Sequence, residues 1–494
     1  MNAAQYFVLK NSGNMNCASN KKKSITLTPD QQQAFNKMLD FAVDEHSRVF
    51  ILRGYAGTGK TTMVKLLIDE LNARNIRFRL LASTGRAAKI LNDKTSNETS
   101  TIHGLIYKFK DLNSDLEEIV NNRDVTGVDS KGQLFLNFDL VPAITQESFC
   151  YIIDESSMIS DYEDKLITQA KFGSGRLLKD LMDYNTNGKF IFIGDPCQLP
   201  PVTQSISPAL SARYLKEEFG IVAQEFELTE IMRQAEDNDI ALSSKRMRSL
   251  YHNPQPFKWA KFPLKGYRNI HIVSSQAKLI QMYVDDVKDN GFAAASLLCF
   301  SNAQSNTLTS IIRPHFGKHT NQLQPGDLLL VTQNNLISGL LNGDIVILRE
   351  CMIREIRAGL TFLKVSVKEL SSERVYEQFL IEEILYNNMT NLTQEQQREL
   401  FIDFYIRMKE KGIKQGDPRF EDSMRKDPYL NALRTVYGYA LTCHKAQGGE
   451  WDRVYLDIPR NLPSVKKPYV YQWMYTAMTR ASKDLYVVDD FWVM

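Results

Sequence analysis

The octapeptide Gly54-Tyr55-Ala56-Gly57-Thr58-Gly59-Lys60-Thr61 is the part of this chain best equipped for chemistry. It fits G-x-x-x-x-G-K-[ST], follows an apolar run directly and opens a helical one, the setting in which that pattern cradles phosphates. Glycines let backbone N–H groups face an anion, Lys60 supplies a point charge for β and γ phosphates, and Thr61 can ligate Mg²⁺. Gly57, Thr58, Gly59, Lys60, Thr61 and Thr62 are therefore candidate contacts for ATP. A second apolar run ends in Asp154-Glu155, which suits a metal-ligating Asp154 and a Glu155 that orients or deprotonates the attacking water. A third closes on Gly194-Asp195-Pro196-Cys197-Gln198-Leu199-Pro200-Pro201, so Gln198 should point into the same cleft and sense the γ phosphate or the water. Upstream, the amide of Gln31 could pair with the N6 and N7 edge of adenine, while Thr28 or Asp30 beside it equally suits helix capping. Arg233 and Arg480 are candidates for stabilising transition-state charge, although spacing alone does not single them out from surface ion-pair arginines.

Strands must deliver these residues. Residues 49–52, 79–82, 151–153 and 190–193 are apolar runs that each stop before a Gly, Ser, Thr or Asp cluster, with helical stretches between them. That alternation predicts a parallel sheet with crossover helices and a ligand at the carboxyl ends of the strands. The expected first α/β unit covers 25–103 and 150–242, after a mobile tail over 1–24. An inserted subdomain is expected over 104–149, helical from 108 to 122 and with a hairpin over 127–138 around Ser130-Lys131-Gly132. A second α/β unit is expected over 243–343 and 433–494, with 295–300 and 484–488 as strands. It is interrupted over 344–432, where 345–348, 361–367 and 376–381 suggest a small β-barrel and 393–411 polar helices.

Bulk properties bound the answer without choosing it. A chain of 494 residues exceeds the roughly 250 to 300 at which one core stops growing, so two to four domains are expected. Hydrophobic residues at 43% and charged residues at 24% are ordinary globular usage, which argues against a disordered or fibrous chain. The net charge of +2 neither supports nor excludes nucleic acid, since a basic groove can be cancelled elsewhere. Six cysteines lie far apart with no C-x-x-C pair, which disfavours zinc ribbons, iron-sulfur clusters and a secreted disulfide framework. No apolar run approaches the ~18 to 20 residues of a membrane span, and 1–24 lacks the apolar core of a signal peptide, so a cytoplasmic protein is expected.

Taken in order, these segments resemble superfamily 1 helicases, specifically the B subclass containing RecD, the phage Dda helicase and the Pif-type enzymes. The most specific blocks are Ala82-Ser83-Thr84-Gly85-Arg86-Ala87-Ala88, Thr101-Ile102-His103, the run from Gly194 to Pro201, and Tyr439-Ala440-Leu441-Thr442-Cys443-His444-Lys445-Ala446-Gln447-Gly448-Gly449-Glu450-Trp451. The resemblance implies two RecA-like motor domains with ATP between them, and makes Arg233 and Arg480 arginine fingers. It implies that Ser83, Thr84, Arg86, His103, Thr442, His444 and Lys445 hold single-stranded DNA, and that Gln447 and Glu450 link DNA to nucleotide. The 104–149 insertion corresponds to a strand-separating pin, with Phe135 and Phe138 as wedge candidates, and the 344–432 insertion to an SH3-like barrel. An ATP- and Mg²⁺-dependent 5′–3′ DNA helicase is thereby expected, monomeric on single strands and forks, nucleoid-associated, and working with repair or replication proteins. An RNA helicase of the same superfamily and a non-unwinding ATP-switched clamp are the alternatives the sequence leaves open.

Overall fold

The computed structural model describes residues 27–494 apart from 113–115, 117–135, 144–146, 164–169, 203, 231–237, 257–258, 387–389, 461 and 463–466. Phe135, Arg233, the Lys21-Lys22-Lys23 run and the expected turn at Ser130-Lys131-Gly132 lie outside the described residues.

In the first lobe the strands are Val49–Gly54 (β1), Phe78–Ala82 (β2) and Thr99–Thr101 (β3), then Tyr107–Leu112 (β4), Leu136–Leu140 (β5), Cys150–Asp154 (β6), Ala170–Phe172 (β7), Lys189–Gly194 (β8) and Gln224–Leu228 (β9). Six of them form one sheet in the order β3-β2-β6-β8-β1-β9, every pair parallel. Alternation along β1 explains how both faces are filled. Phe50 and Leu52 pack with Met38, Phe41, Met63 and Leu67 of the helices Pro29–Val43 (α1) and Lys60–Ala73 (α2). Val49 and Ile51 face Phe190, Phe192, Leu178 and Leu215 on the other side. The sheet order sets β1, β8 and β6 side by side, so their carboxyl ends bring 54–61, 194–201 and Asp154-Glu155 to one edge.

The second lobe is also a parallel sheet, of Ile270–Val273 (β10), Ala295–Cys299 (β11), Leu441–Thr442 (β17), Trp451–Leu456 (β18) and Ala481–Val488 (β19), in the order β10-β19-β18-β11-β17. Its core holds Trp473, Met474 and Met478 of the helix Lys467–Met478 against Val454 and Leu485. Ile240 and Met247 of the helix Asp239–His252 join that core, so this helix packs with the second lobe although the sequence reading assigned its start to the first. Cys197 and Leu199, which follow β8 in the first lobe, are buried in it as well.

Two further sheets depart from expectation in detail. The 108–122 stretch was read as helical, but Tyr107–Leu112 is a strand paired antiparallel with β5, with Tyr107 opposite Leu140 and Phe109 opposite Phe138. Tyr107, Phe109 and Leu112 offer aromatic and apolar packing to a sheet face, and that outweighs the polar residues between them. β7 then adds to β5 in parallel. The antiparallel sheet in the second lobe has the order β15-β14-β13-β12-β16, from Leu328–Val331 (β12), Ile345–Arg357 (β13), Leu360–Glu369 (β14), Val375–Ile381 (β15) and Thr435–Tyr437 (β16). It therefore takes in residues on both sides of the expected 344–432 limits. Beneath it, Leu400, Phe401 and Phe404 of the helix Gln394–Glu410 and Phe420 of the helix Pro418–Lys426 share one core with Phe362 and with Leu112 and Leu116 of the first lobe. Among the described residues no helix is long and apolar enough to cross a membrane.

Candidate functional site

The loop after β1 turns through Gly57 and Gly59, both at φ above 80°, a conformation closed to most side chains. Gly59 has a second reason to lack a side chain, because a Cβ there would lie 2.6 Å from Gln31 Nε2. Gln31 is 96% buried and braces the loop: its Nε2 donates to the Thr58 carbonyl at 3.0 Å, while its Oε1 accepts the Thr28 N–H in a capping box at the start of α1. Both ends of this amide are thus engaged. Asp30, the other capping candidate, accepts from the N–H groups of Thr229 and Glu230 and so ties the segment leading toward Arg233 to α1. Lys60 Nζ donates to the carbonyls of Gly54 (2.7 Å) and Tyr55 (3.0 Å), which leaves one of its three N–H bonds for an anion.

A cavity of about 650 Å³ opens over this loop. From the first lobe its wall takes Gly57, Gly59, Lys60, Thr61, Thr62, Asp154, Glu155 and Gln198; from the second, Gly448, Gly449, Glu450 and Arg480. Asp154 Oδ1 accepts the Glu155 N–H at 2.9 Å, and Glu155 sits at φ 51°, a left-handed strain that non-glycine residues keep only where the surroundings enforce it. Burial pushes both carboxyls above the ordinary carboxylate range, and the Asp154 charge adds to the effect on Glu155, while Arg480 and Lys60 oppose it. Gln198 is 4% exposed and its Oε1 has no hydrogen-bond partner. A buried acceptor left open in a cavity wall fits a water or a phosphate-side donor. Gln447 is similar: its Nε2 crosses between lobes to the Leu199 carbonyl (3.2 Å) and its Oε1 is unpaired.

Arg480 is 6% exposed and donates to Thr476 O (3.1 Å), Gly449 O (3.2 Å) and Thr479 Oγ1 (3.3 Å). Arg86, expected on the strand path, stands in the cavity wall instead, its guanidinium 5.2 Å from the Trp451 ring centroid and near the Gly343 carbonyl. Burial and the Arg480 charge pull its pKa below the usual arginine value, against the pull of Asp344. Lys94, on the helix Gly85–Thr95, also lines the cavity and stands in no motif; the Asp195–Tyr475 pair escaped the sequence reading because no spacing announces a contact made between lobes.

The expected strand contacts divide by chemistry. Thr84 Oγ1 accepts the Ala87 N–H at the start of the helix Gly85–Thr95 (α3), and Thr442 Oγ1 accepts from Lys445 N–H in the same way, so each hydroxyl keeps its proton to donate. Ser83 Oγ donates to the Glu155 carbonyl at 2.9 Å, a direct link to the backbone of the cavity-wall carboxylate. His103 packs edge-on to Phe172 at 5.2 Å, and His444 lies 3.4 Å from the Tyr469 hydroxyl; burial lowers the pKa of both. Lys445 is pulled down by burial to about 8. Phe138 stacks on Phe172 at 4.7 Å and meets Phe109 edge-on, so its ring is used in the small core of the insertion rather than presented as a wedge.

Two parallel lobes with a phosphate loop on one and an arginine from the other on a shared cavity define a two-lobed P-loop nucleotide-binding protein. The family described as AAA domain matches residues 26–253, and the UvrD-like helicase C-terminal domain matches 437–488. The ATP-dependent RecD2 DNA helicase of Deinococcus radiodurans is 26% identical over 49% of this chain and 26% of its own length. The ATP-dependent DNA helicase dda of Enterobacteria phage T4 is 38% identical over 16% of this chain and 18% of its own length. An uncharacterized protein of Methanocaldococcus jannaschii is 24% identical over 95% of this chain, which spans 39% of that relative. A solved structure of Pif1 helicases at forked double-stranded DNA aligns over 94% of this chain and 93% of its own, at 16% identity and a TM-score of 0.47. Two family models that fall one on each lobe, together with the RecD2 and Dda relatives, make the chain similar to superfamily 1 helicases of the RecD and Dda group.

Proposed function

We propose that this chain is an ATP-dependent DNA helicase that moves 5′ to 3′ along single-stranded DNA and separates duplex ahead of it. One observation carries the reading: the phosphate loop, Asp154-Glu155 and Gln198 of one lobe share a cavity with Arg480 of the other. ATP closing that cavity draws Arg480 toward Lys60, and hydrolysis releases it, so chemistry becomes relative motion of the lobes. Thr61 and Asp154, which both line the cavity, would hold Mg²⁺, and the ion would supply charge neutralisation at the β and γ phosphates. Glu155, with its raised pKa, takes the proton of the attacking water, and the open Oε1 of Gln198 orients that water. Arg233, by its place in the resemblance, is the second finger. Thr84 and His103 on one lobe and Thr442, His444 and Lys445 on the other bind the sugar-phosphate backbone without reading bases, and Ser83 joins them by exchanging its bond to the Glu155 carbonyl for one to the strand.

A monomer acting in the cytoplasm at forks, with repair or replication proteins as partners, is the setting that suits this activity. The test is the Lys60→Ala variant beside the wild type, in DNA-stimulated ATP hydrolysis and in unwinding of duplexes with a 5′ or a 3′ single-stranded tail. Wild type should unwind the 5′-tailed substrate and Lys60→Ala should neither hydrolyse nor unwind. Turnover retained in Lys60→Ala would refute the site, unwinding confined to the 3′ tail would refute the polarity, and stronger stimulation by RNA would reassign the strand.

A further inference from the structure

The helix Lys467–Met478 leads directly to Arg480, and one face of it reaches across to the first lobe at three successive points. Gln472 Nε2 donates to the Gln198 carbonyl at 3.3 Å, and Thr476 Oγ1 accepts the Leu199 N–H at 3.0 Å. Tyr475 does more than either. Its hydroxyl donates to Asp195 Oδ2 at 2.6 Å and accepts the Ala56 N–H at 3.1 Å. A single oxygen, on a residue that is 1% exposed, thereby joins the phosphate loop, the loop that carries Gln198, and the helix that carries the finger. The far oxygen of Asp195 accepts the Cys197 N–H at 2.9 Å, so the carboxylate cannot turn away without disturbing the Gln198 loop. Burial and the Asp195 charge hold the phenol protonated. While these bonds stand their direction is therefore fixed: the phenol gives its proton to Asp195 and offers a lone pair to the Ala56 N–H.

Arg480 itself has no such anchor. Its bonds go to Thr476, Thr479 and Gly449, all of the second lobe, so its position over the cavity follows the angle at which the helix end meets the first lobe. The residue before Ala56 is gripped from the same side. The Arg248 guanidinium, on a helix packed into the second-lobe core, lies 3.6 Å from the Tyr55 ring centroid.

We propose that Tyr475 is the positioning residue for Arg480, its hydroxyl setting the distance between the phosphate loop and the finger by binding Ala56 N–H and Asp195 together. The inference rests on the reading of this cavity as a site of ATP hydrolysis. The hydroxyl is occupied by Ala56 and Asp195, so it serves the transition state through Arg480 and leaves nucleotide affinity to the loop. Its loss should appear in kcat and spare KM.

The experiment is steady-state ATP hydrolysis at saturating single-stranded DNA by wild type, Tyr475→Phe, Arg480→Lys and the double variant, with nucleotide affinity measured by a fluorescent ADP. Tyr475→Phe keeps the ring and removes one oxygen. It should lower kcat at least tenfold with KM and ADP affinity within threefold of wild type, and it should lower kcat less than twofold further on the Arg480→Lys background. Asp195→Asn weakens the same bond from its other end and is the second variant should Tyr475→Phe not fold; the same split is expected. A wild-type kcat in Tyr475→Phe, a fall that appears in KM instead, or full multiplication of the two effects would each overturn the inference while leaving the ATPase reading intact. A wild-type protein with no DNA-stimulated hydrolysis would overturn that reading and the inference with it.

Discussion

Glu155 pays for its position twice, in backbone strain at φ 51° and in burial beside Asp154. The strain alone is destabilising by about 1 to 3 kcal/mol in comparable settings, and both costs fall on the residue proposed to face the water. Glu155→Gly should therefore abolish hydrolysis and raise the free energy of unfolding by about 1 kcal/mol or more, read as a higher urea midpoint at unchanged slope; a less stable variant would show that the strain is not real. Lys445 gives a second residue-scale expectation. On the proposed strand path its amine, lowered to a pKa of about 8 by burial, would gain a phosphate when DNA binds, and that contact would raise the pKa. Binding then takes up protons, so affinity is full below pH 8 and declines as pH rises through it. Calorimetry at pH 8 in two buffers of different ionisation enthalpy should detect the uptake, and Lys445→Met should remove it. At this scale the sequence was most legible where a motif is local. The phosphate loop and Asp154-Glu155 need only their own strands to be recognised, whereas Arg86 was expected on the DNA path and stands instead between Gly343, Gly449 and Trp451. Nothing in Gly85-Arg86-Ala87 records that the second lobe comes to meet it.

Elements with strong periodicity were read close to their limits: 49–52, 79–82, 151–153 and 190–193 all lie within observed strands. The errors concern pieces whose partners are remote in sequence. β4 looks polar until β5 pairs with it, and β12 and β16 are brief strands that become recognisable only through each other. The same remoteness hid the part played by the helices Gln394–Glu410 and Pro418–Lys426, which had no assignable role in the sequence. They share a core with Leu112 and Leu116, and Gln415 Oε1 accepts the Leu116 N–H at 2.9 Å, so the first-lobe insertion is docked on the second-lobe insertion. Leu116 is fully buried there. Leu116→Ala should cost about 2 to 5 kcal/mol of that docking, because the cavity left cannot collapse between two separate elements. The ATP cavity lies in other cores, so DNA-stimulated hydrolysis should stay within twofold of wild type while strand separation falls severalfold. Equal losses in both would mean that the docking supports the motor itself.

At the scale of the whole molecule, a net charge of +2 leaves little general attraction for a polyanion, and the strand contacts must supply what there is. Those proposed are sparing with cations. Ser83, Thr84 and Thr442 are neutral hydroxyls, His103 and His444 are pushed toward the neutral form by burial, and the guanidinium of Arg86 is turned to the nucleotide cavity. Lys445 is left as the one assured cation of the set, and burial weakens even that. Single-strand binding releases counterions with a slope of about −0.7 per phosphate neutralised, in log affinity against log salt. A strand path of this composition should therefore give a shallow slope, between about −0.7 and −2, and Lys445→Met should flatten it by about 0.7. Hydrogen bonds from the Thr84 and Thr442 hydroxyls and from backbone would then carry most of the grip, which suits a motor that must release each phosphate at every step. Titrating a fluorescent oligonucleotide across a range of salt, with and without a non-hydrolysable ATP analogue, measures this directly. A slope near −4 would place the strand on a basic surface elsewhere on the two lobes, and the contacts at Ser83, Thr84 and Thr442 would lose their claim to it.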